Sequence, residues 1–192
     1  MNICVFASGN GSNMQAVIDA VENKEIDAKV VLVISNNSKA YALQRAKIHS
    51  IDNYHISSYI YKEKTDEKLL TLLKDYKIDL ILLAGYMKKI PSKIINMYKV
   101  LNIHPALLPK HGGKGMYGSA VHESVLKAKD QISGCTVHLV DEIYDNGKIL
   151  NQAFVPVYPN DTIDTLSARV LKEEHKLYVD TIKKILSKEI EL

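Results

Sequence analysis

Near-continuous apolar runs alternate with amphipathic stretches along the first hundred residues. "NICVFA" at the amino terminus, "AKVVLVIS" over 28–35 and "IDLILLAG" over 78–85 are short and uninterrupted, the pattern of strands buried on both faces. Between them apolar positions recur at helical spacing from Ser12 to about Asn23, from Tyr41 to Ile48 and, in a charged stretch, from Thr65 to about Tyr76. A weaker strand is predicted around "DNYHI", a short segment begins at Pro91, and "VLNIH" closes the series as another strand. Strands that alternate with helices in this way form parallel sheets covered on both faces.

The pattern changes beyond residue 110. A glycine-rich loop "HGGKGMYG" leads into a helix ending near Lys129, and the runs "SGCTVHLV" and "KILNQAFVPV" flank "DEIYDNG". Asn-Gly between two strand runs is a hairpin signal, so antiparallel strands are predicted here. A long amphipathic helix follows "NDT", capped by Asp161 or Thr162 and running to about Glu189. The predicted fold class is α/β: a Rossmann-like, mostly parallel sheet flanked by helices, with antiparallel strands in the carboxyl-terminal part. With 192 residues, 46% of them hydrophobic and 24% charged, the chain is expected to form a single domain over 1–192.

Candidate chemistry concentrates in "VLNIHPALLP", residues 100–109. Successive side chains on a strand point to opposite faces, so Asn102 and His104 share one face while Leu101 and Ile103 share the other. Pro105 cannot continue an interior ladder, which leaves the polar pair at the carboxyl end of the strand, where open α/β sheets bind ligands. A single histidine at a strand end is ordinarily a hydrogen-bonded structural residue; an amide on the same face favours chemistry. An amide donor and an imidazolium can stabilise an oxyanion, and the imidazole can exchange a proton with an attacking or leaving nitrogen, which fits acyl-type transfer.

"SGNGSN" follows the first strand and opens a helix, and glycines at 9 and 11 allow backbone amides to turn toward an anion at the positive helix end. The same residues also satisfy a tight turn with Ser12 as N-cap and Gln15 closing a capping box. A dinucleotide fingerprint would need glycine at position 14, where Met14 stands, and no acidic residue ends the second strand, which argues against NAD. "DEIYDNG" gathers Asp141, Glu142 and Asp145 in one turn, either as a solvated hairpin or as a carboxylate beside the histidine that raises its pKa and orients a ring or a water. Its spacing fails the EF-hand template.

The histidines at 49, 55, 111, 122, 138 and 175 show no metal-ligand spacing, so no metal is expected. Cys4 and Cys135 read as buried free thiols without a catalytic role, and no G-x-S-x-G elbow is present. The attacking atom must then come from a substrate. A formal charge of +3, carried almost entirely by lysine with Arg45 and Arg169 the only arginines, suits small anionic molecules at least as well as nucleic acid, and with no arginine-rich run or aromatic-basic motif no nucleic-acid partner is expected. No apolar run reaches the length of a membrane span and no basic n-region precedes an h-region at the amino terminus, so a cytoplasmic protein is expected, away from membranes.

Taken in order, "FASGNGSN", "LAGYM", "NIHPALLP", "VHLVDEIYDNG" and, in the terminal helix, "ARVLKEEH" resemble the glycinamide ribonucleotide formyltransferase family, and the likeness spans nearly the whole chain. "NIHP-x-LLP" is shared with the wider set of 10-formyltetrahydrofolate transferases and hydrolases; "SGNGSN" at the start narrows the resemblance. It implies the formyltransferase fold, 10-formyltetrahydrofolate as co-substrate, no metal, and transfer of its formyl group to the amine of glycinamide ribonucleotide in de novo purine biosynthesis. By this resemblance Asn102, His104 and Asp145 are the catalytic trio, with Asp145 keeping His104 protonated. Gly11, Ser12 and Asn13 cradle the ribonucleotide phosphate and Glu174 holds its ribose. Lys62, Met87, Lys88, Lys89, Ile90, Asp141, Glu142, Ile143 and Tyr144 lie on the folate side. Many relatives read Arg-Ile-Leu where this chain has Lys88, Lys89 and Ile90, and lysine does not replace a planar guanidinium fork.

The rival readings are another 10-formyltetrahydrofolate-using enzyme, either a hydrolase or a sugar-amine formyltransferase, and a non-enzymatic nucleotide-binding domain. A methionyl-tRNA enzyme would carry a further carboxyl-terminal domain, and the hydrolases usually carry a domain before the first strand, which here starts at residue 2. A monomer or a homodimer is expected, with small molecules as its partners.

Overall fold

The computed structural model describes residues 1–192. Seven strands, β1 (Asn2–Phe6), β2 (Lys29–Ser35), β3 (Asp52–His55), β4 (Leu80–Leu83), β5 (Lys99–His104), β6 (Ile132–Leu139) and β7 (Ile149–Pro156), run in the order β3-β2-β1-β4-β5-β6-β7. β1 pairs in parallel with β2 and β4, β2 pairs in parallel with β3, and β6 and β7 are antiparallel. The mostly parallel α/β sheet with antiparallel carboxyl-terminal strands is therefore as expected. The helices are α1 (Ser12–Glu22), α2 (Tyr41–Ile48), α3 (Ser58–Tyr61), α4 (Thr65–Asp75), α5 (Ser92–Met97), α6 (Ser119–Lys127) and α7 (Ile163–Leu186). The chain divides within β5 into two compact units, Met1–Leu101 and Asn102–Leu192.

In the first unit the uninterrupted apolar runs became the central strands because both their faces are covered. Ile3, Val5, Leu32, Leu80 and Leu82 are almost wholly buried, as are Met14 and Val17 on α1. The segment at Pro91 forms α5. α3 and the 3-10 turn at Lys62–Lys64 had no counterpart in the apolar pattern, because no residue of either is buried. The Ser12–Gln15 capping box, the alternative reading of this turn, is absent. Gly11 is the N-cap of α1 at φ 75°, with no side-chain cap, and Gln15 instead accepts from Arg45 while its amide meets Asp19 and His49. A left-handed residue at this close approach to α2 turns the chain more sharply than a serine cap would.

In the second unit α7 buries one stripe, Leu166, Val170, Glu174, Leu177, Tyr178, Thr181 and Ile182, at the i, i+4, i+8, i+11 spacing of an amphipathic helix. Its cap is Thr162, whose hydroxyl accepts from the Thr165 amide at 3.2 Å while Thr165 Oγ1 accepts from the Thr162 amide at 2.9 Å. Asp161 serves elsewhere: it takes a forked pair of hydrogen bonds from Arg169 at 2.7 and 2.8 Å, which hold its carboxyl far below the usual carboxylate range.

At Gly134 the β6 backbone lies close against β7. A Cβ there would stand 1.9 Å from the Ala153 carbonyl oxygen and 2.8 Å from Leu107 Cδ2, so a methyl group forces the hairpin apart. Gly134→Ala is expected to lower unfolding free energy by about 2–4 kcal/mol in urea titrations. Gly9→Ala, whose Cβ would have nothing within 4 Å, should stay within about 1 kcal/mol of wild type. Equal stability of the two variants would contradict this packing.

Candidate active site

β5 ends at His104, and its alternation leaves Leu101 and Ile103 in the core while Asn102 and His104 turn to the opposite face. Asp145, from the loop between β6 and β7, meets both. His104 Nδ1 lies 3.5 Å from Asp145 Oδ2, and Asn102 Nδ2 lies 3.5 Å from Oδ1. Asp145 adopts φ 55°, a left-handed conformation that aspartate tolerates better than most residues and that carries its carboxylate inward. Two further groups complete its surroundings. The Gly113 N–H donates to Oδ2 at 2.9 Å, and His138 Nε2 stands 3.6 Å from Oδ1.

The hydrogen bonds assign the donors. His104 Nε2–H donates to the His111 carbonyl at 2.9 Å, which leaves Nδ1 as the nitrogen facing the carboxylate. His138 Nδ1–H donates to the Leu139 carbonyl at 2.8 Å, so Nε2 presents a lone pair that accepts from Asn102 Nδ2 at 3.1 Å. One Asn102 amide hydrogen is thus taken by His138. Both contacts at 3.5 Å are longer than a good hydrogen bond, so the other Asn102 hydrogen is open to a substrate oxygen and the His104 Nδ1 lone pair to a substrate proton.

The chain after β5 is pinned in place. Thr136 Oγ1 donates to the Ala106 carbonyl at 2.7 Å and accepts from the Leu108 amide at 3.1 Å, while Gln152 Nε2 donates to Thr136 Oγ1 and to the Leu108 carbonyl. The glycine-rich loop is explained by its first members: a Cβ on Gly112 would reach 2.5 Å from Leu108 Cδ2 and 3.2 Å from Asp145 Cβ. Glycine lets the loop pass this close to the carboxylate without displacing Leu108 or Asp145.

Burial pushes the His104 pKa down, and the charges of His138 and His111 add to this; Asp145 and the His111 carbonyl push it up, but the net direction is below 6.5. The expectation that Asp145 raises it holds for the carboxylate's own effect and not for the sum. Burial raises the Asp145 carboxyl, yet the neighbouring rings of His138 and His104 and the Gly113 amide outweigh it and leave it below 3.8. The resting pair is therefore an ionised Asp145 beside a neutral His104.

In the first unit the loop after β1 is braced from α2. Arg45 donates to the Asn10 carbonyl at 3.0 Å and to its side-chain oxygen at 2.8 Å, and the Ala42 amide donates to the Gly9 carbonyl at 3.1 Å. Gly11 cannot be replaced without collision, since its Cβ would lie 2.8 Å from Ala42 Cβ. The α1 ladder starts with the Gln15 amide on the Gly11 carbonyl, so the first-turn amides of Ser12 and Asn13 lie outside that ladder. Ser8 joins this loop to the one after β4: its hydroxyl bonds Asn36 and accepts from the Met87 amide at 2.7 Å.

Of the remaining candidates, Met87, Lys88 and Lys89 are exposed on that second loop while Ile90 is buried. Lys62 lies on an exposed turn. Asp141 organises the 141–146 turn by accepting from the Ile143 amide and Asn146, with Glu142, Ile143 and Tyr144 exposed beside it. Glu174 is buried at 7% exposure on α7, and its charge, after burial, helps push the Cys135 thiol up to about 12. Cys4 and Cys135 are buried free thiols as expected. His138 was not singled out from the sequence, although a histidine two residues past Thr136 on the strand that enters "DEIYDNG" was the available signal.

The sequence pattern of the formyl transferase family matches residues 1–182. Phosphoribosylglycinamide formyltransferase of Haemophilus influenzae is 40% identical over 94% of this chain and 85% of its own. The chloroplastic phosphoribosylglycinamide formyltransferase of Vigna unguiculata is 39% identical over 98% of this chain, which spans 62% of that relative's length. The crystal structure of glycinamide ribonucleotide transformylase 1 from Symbiobacterium toebii superposes with a TM-score of 0.93 at 35% identity, covering all of this chain and 90% of the other.

Two buried histidines set a pH dependence of stability. His104 and His122, 3% and 4% exposed, both have pKa values lowered by burial, and His122 Nδ1 has no partner. Folded they resist protonation; unfolded they take a proton below about 6.5. The unfolded chain then binds more protons, so stability rises with pH from the folded pKa values up to about 6.5. Thermal melts between about pH 5 and 7 should show a rising Tm that is flatter in His122→Asn. A wild-type Tm independent of pH across this range would contradict the assignment.

Proposed function

The chain belongs to the formyl transferase family, and we propose that it transfers the formyl group of 10-formyltetrahydrofolate to the amine of glycinamide ribonucleotide, giving formylglycinamide ribonucleotide and tetrahydrofolate in de novo purine synthesis. The observation that carries this reading is the convergence of Asn102, His104 and Asp145 at the end of β5.

The substrate amine attacks the formyl carbon, and negative charge develops on the formyl oxygen. The second Asn102 amide hydrogen and His104 Nδ1 are the donors for that oxygen. His104 is neutral at rest, so it becomes a donor at Nδ1 by taking up the proton that the attacking nitrogen loses, with Asp145 stabilising the imidazolium. The developing oxyanion raises its proton affinity at the moment the proton becomes available. Collapse of the intermediate breaks the bond to N10 of the folate, and the proton passes from His104 to that nitrogen. No net proton is consumed in the transfer.

Gly11, Ser12 and Asn13 take the ribonucleotide phosphate; the left-handed Gly11 and the first-turn amides of α1 support this role. Glu174 accepts from the ribose hydroxyls. The folate meets Met87 to Ile90, the turn Asp141 to Tyr144, and Lys62, whose ammonium suits an anionic folate tail. The reading is of one formyltransferase domain over residues 1–192, cytoplasmic, without a resident metal, a monomer or a homodimer whose partners are these small molecules.

A spectrophotometric assay with 10-formyltetrahydrofolate, with and without glycinamide ribonucleotide, tests it. Formylated ribonucleotide, identified by mass, should form only with both substrates; folate turnover without the ribonucleotide would mark a hydrolase instead. His104→Ala should lower kcat by about 10³-fold while ribonucleotide affinity stays within about threefold. Asp145→Asn should slow turnover by about 10²-fold and move the His104 limb of the pH profile to lower pH, because the lost charge is the one that raises that pKa. An unchanged profile would remove Asp145 from this role.

A further inference from the structure

The His104 ring is oriented from the side away from Asp145 by a backbone carbonyl, that of His111. A carbonyl in a loop is only as well placed as the turn that carries it. His111 adopts φ 56°, a left-handed conformation uncommon for any residue but glycine, so this turn needs support. The support is its own side chain. Nε2–H donates to Asp130 Oδ2 at 2.8 Å, and Nδ1 is bonded to Ser124 Oγ at 2.8 Å. Both ring nitrogens are thereby engaged, and the ring is 11% exposed. Asp130 is held in turn by Lys110 at 3.0 Å, and its carboxyl lies below 3.8 through the hydrogen bonds of His111 and Lys110.

We propose that His111 is a positioning residue for His104: its side chain, clamped by Asp130 and Ser124, fixes the turn whose carbonyl receives His104 Nε2–H and so leaves Nδ1 as the nitrogen presented to the reacting atoms. The chain of contacts is continuous from Asp130 through His111 to His104, and the bonds of Asp130 and Ser124 in it are made to the His111 ring. The charges acting on His104 are those of Asp145, His138 and His111, with His122 also close enough to interact. Those beside His111 are Asp130, its partner Lys110, and His104. The proposal rests on the formyl-transfer reading for its kinetic consequence and on geometry alone for its structural one.

The test uses Asp130→Ala, Asp130→Asn and Ser124→Ala in the full chain, with 15N-labelled histidine. In the wild type, neutral His104 should give the nitrogen shifts of a ring protonated at Nε2. In Asp130→Ala the shifts should move toward a mixture of tautomers, kcat should fall about 10-fold with both KM values within about twofold, and the His104 limb of the pH profile should move to lower pH. Asp130→Asn still accepts from His111 and should retain kcat within about threefold and a wild-type limb. A mere loss of charge would instead make the two Asp130 variants alike and overturn the proposal. If Asp130→Ala does not fold, Ser124→Ala, which removes one bond, should show the same displacement at smaller size. Wild-type His104 shifts in either folded alanine variant would overturn the proposal. A protein that transfers no formyl group but whose His104 signals respond would lose the functional reading and keep the positioning role. One that transfers it with His104 unresponsive would lose only the latter.

Discussion

The second unit is organised around a carboxylate that has to be buried in its charged form. Asp145 is 11% exposed, and a charge withdrawn that far from water is tolerated only where donors replace the water. The Gly113 amide supplies the shortest of these contacts and the Asn102 amide the other, with the His104 and His138 rings standing beside them. Much of the local sequence follows. Gly112 is glycine because the loop that brings the Gly113 amide must graze Asp145 Cβ, and Gly147 because a Cβ there would stand 1.8 Å from the Leu139 carbonyl oxygen. The polar residues of β5 are on a strand that would otherwise be apolar because the carboxylate requires them.

The same burial sets His104 against Asp145. Desolvation favours the neutral ring, the carboxylate favours the charged one, and desolvation prevails at rest. A histidine in that balance gains a proton when a negative charge appears nearby and releases it when the charge goes. This suits a reaction in which one proton leaves an attacking nitrogen and another must reach a leaving nitrogen. A permanently charged imidazole would stabilise the oxyanion but could not accept the first proton. The pinning of 106–108 by Thr136 and Gln152 keeps the ring from escaping this balance by moving.

The legible parts of the chain were those governed by local period. Apolar runs buried on two faces gave β1, β2 and β4, and the stripe on α7 gave its buried side, because each depends on spacing along the chain. Asn102, His104 and the end of β5 were legible for the same reason: alternation and a proline are local. His138 and His111 were not, since their roles come from residues up to 36 positions away in the chain and from which ring nitrogen meets a carbonyl. The loop after β1 misled on its cap for a related reason. Ser12 and Gln15 have the capping-box residue types, but Gly11 pressed against Ala42 decides how the helix starts. α3 left no trace because an exposed four-residue helix has no buried face to imprint a period.

The two arginines bear on the proposed phosphate loop. Arg45 has its guanidinium on Asn10 and Gln15 and lies 4.9 Å from the Tyr41 ring, and Arg169 grips Asp161 and lies 4.4 Å from the Tyr158 ring. Both planar forks are engaged in holding the backbone in shape. What Arg45 does is hold the turn through Asn10 that aims the first-turn amides of α1. In the proposed reading the phosphate is met by fixed dipoles, which need no long side chain to be ordered when the ligand arrives, and the guanidinium contributes by keeping those dipoles aligned beforehand.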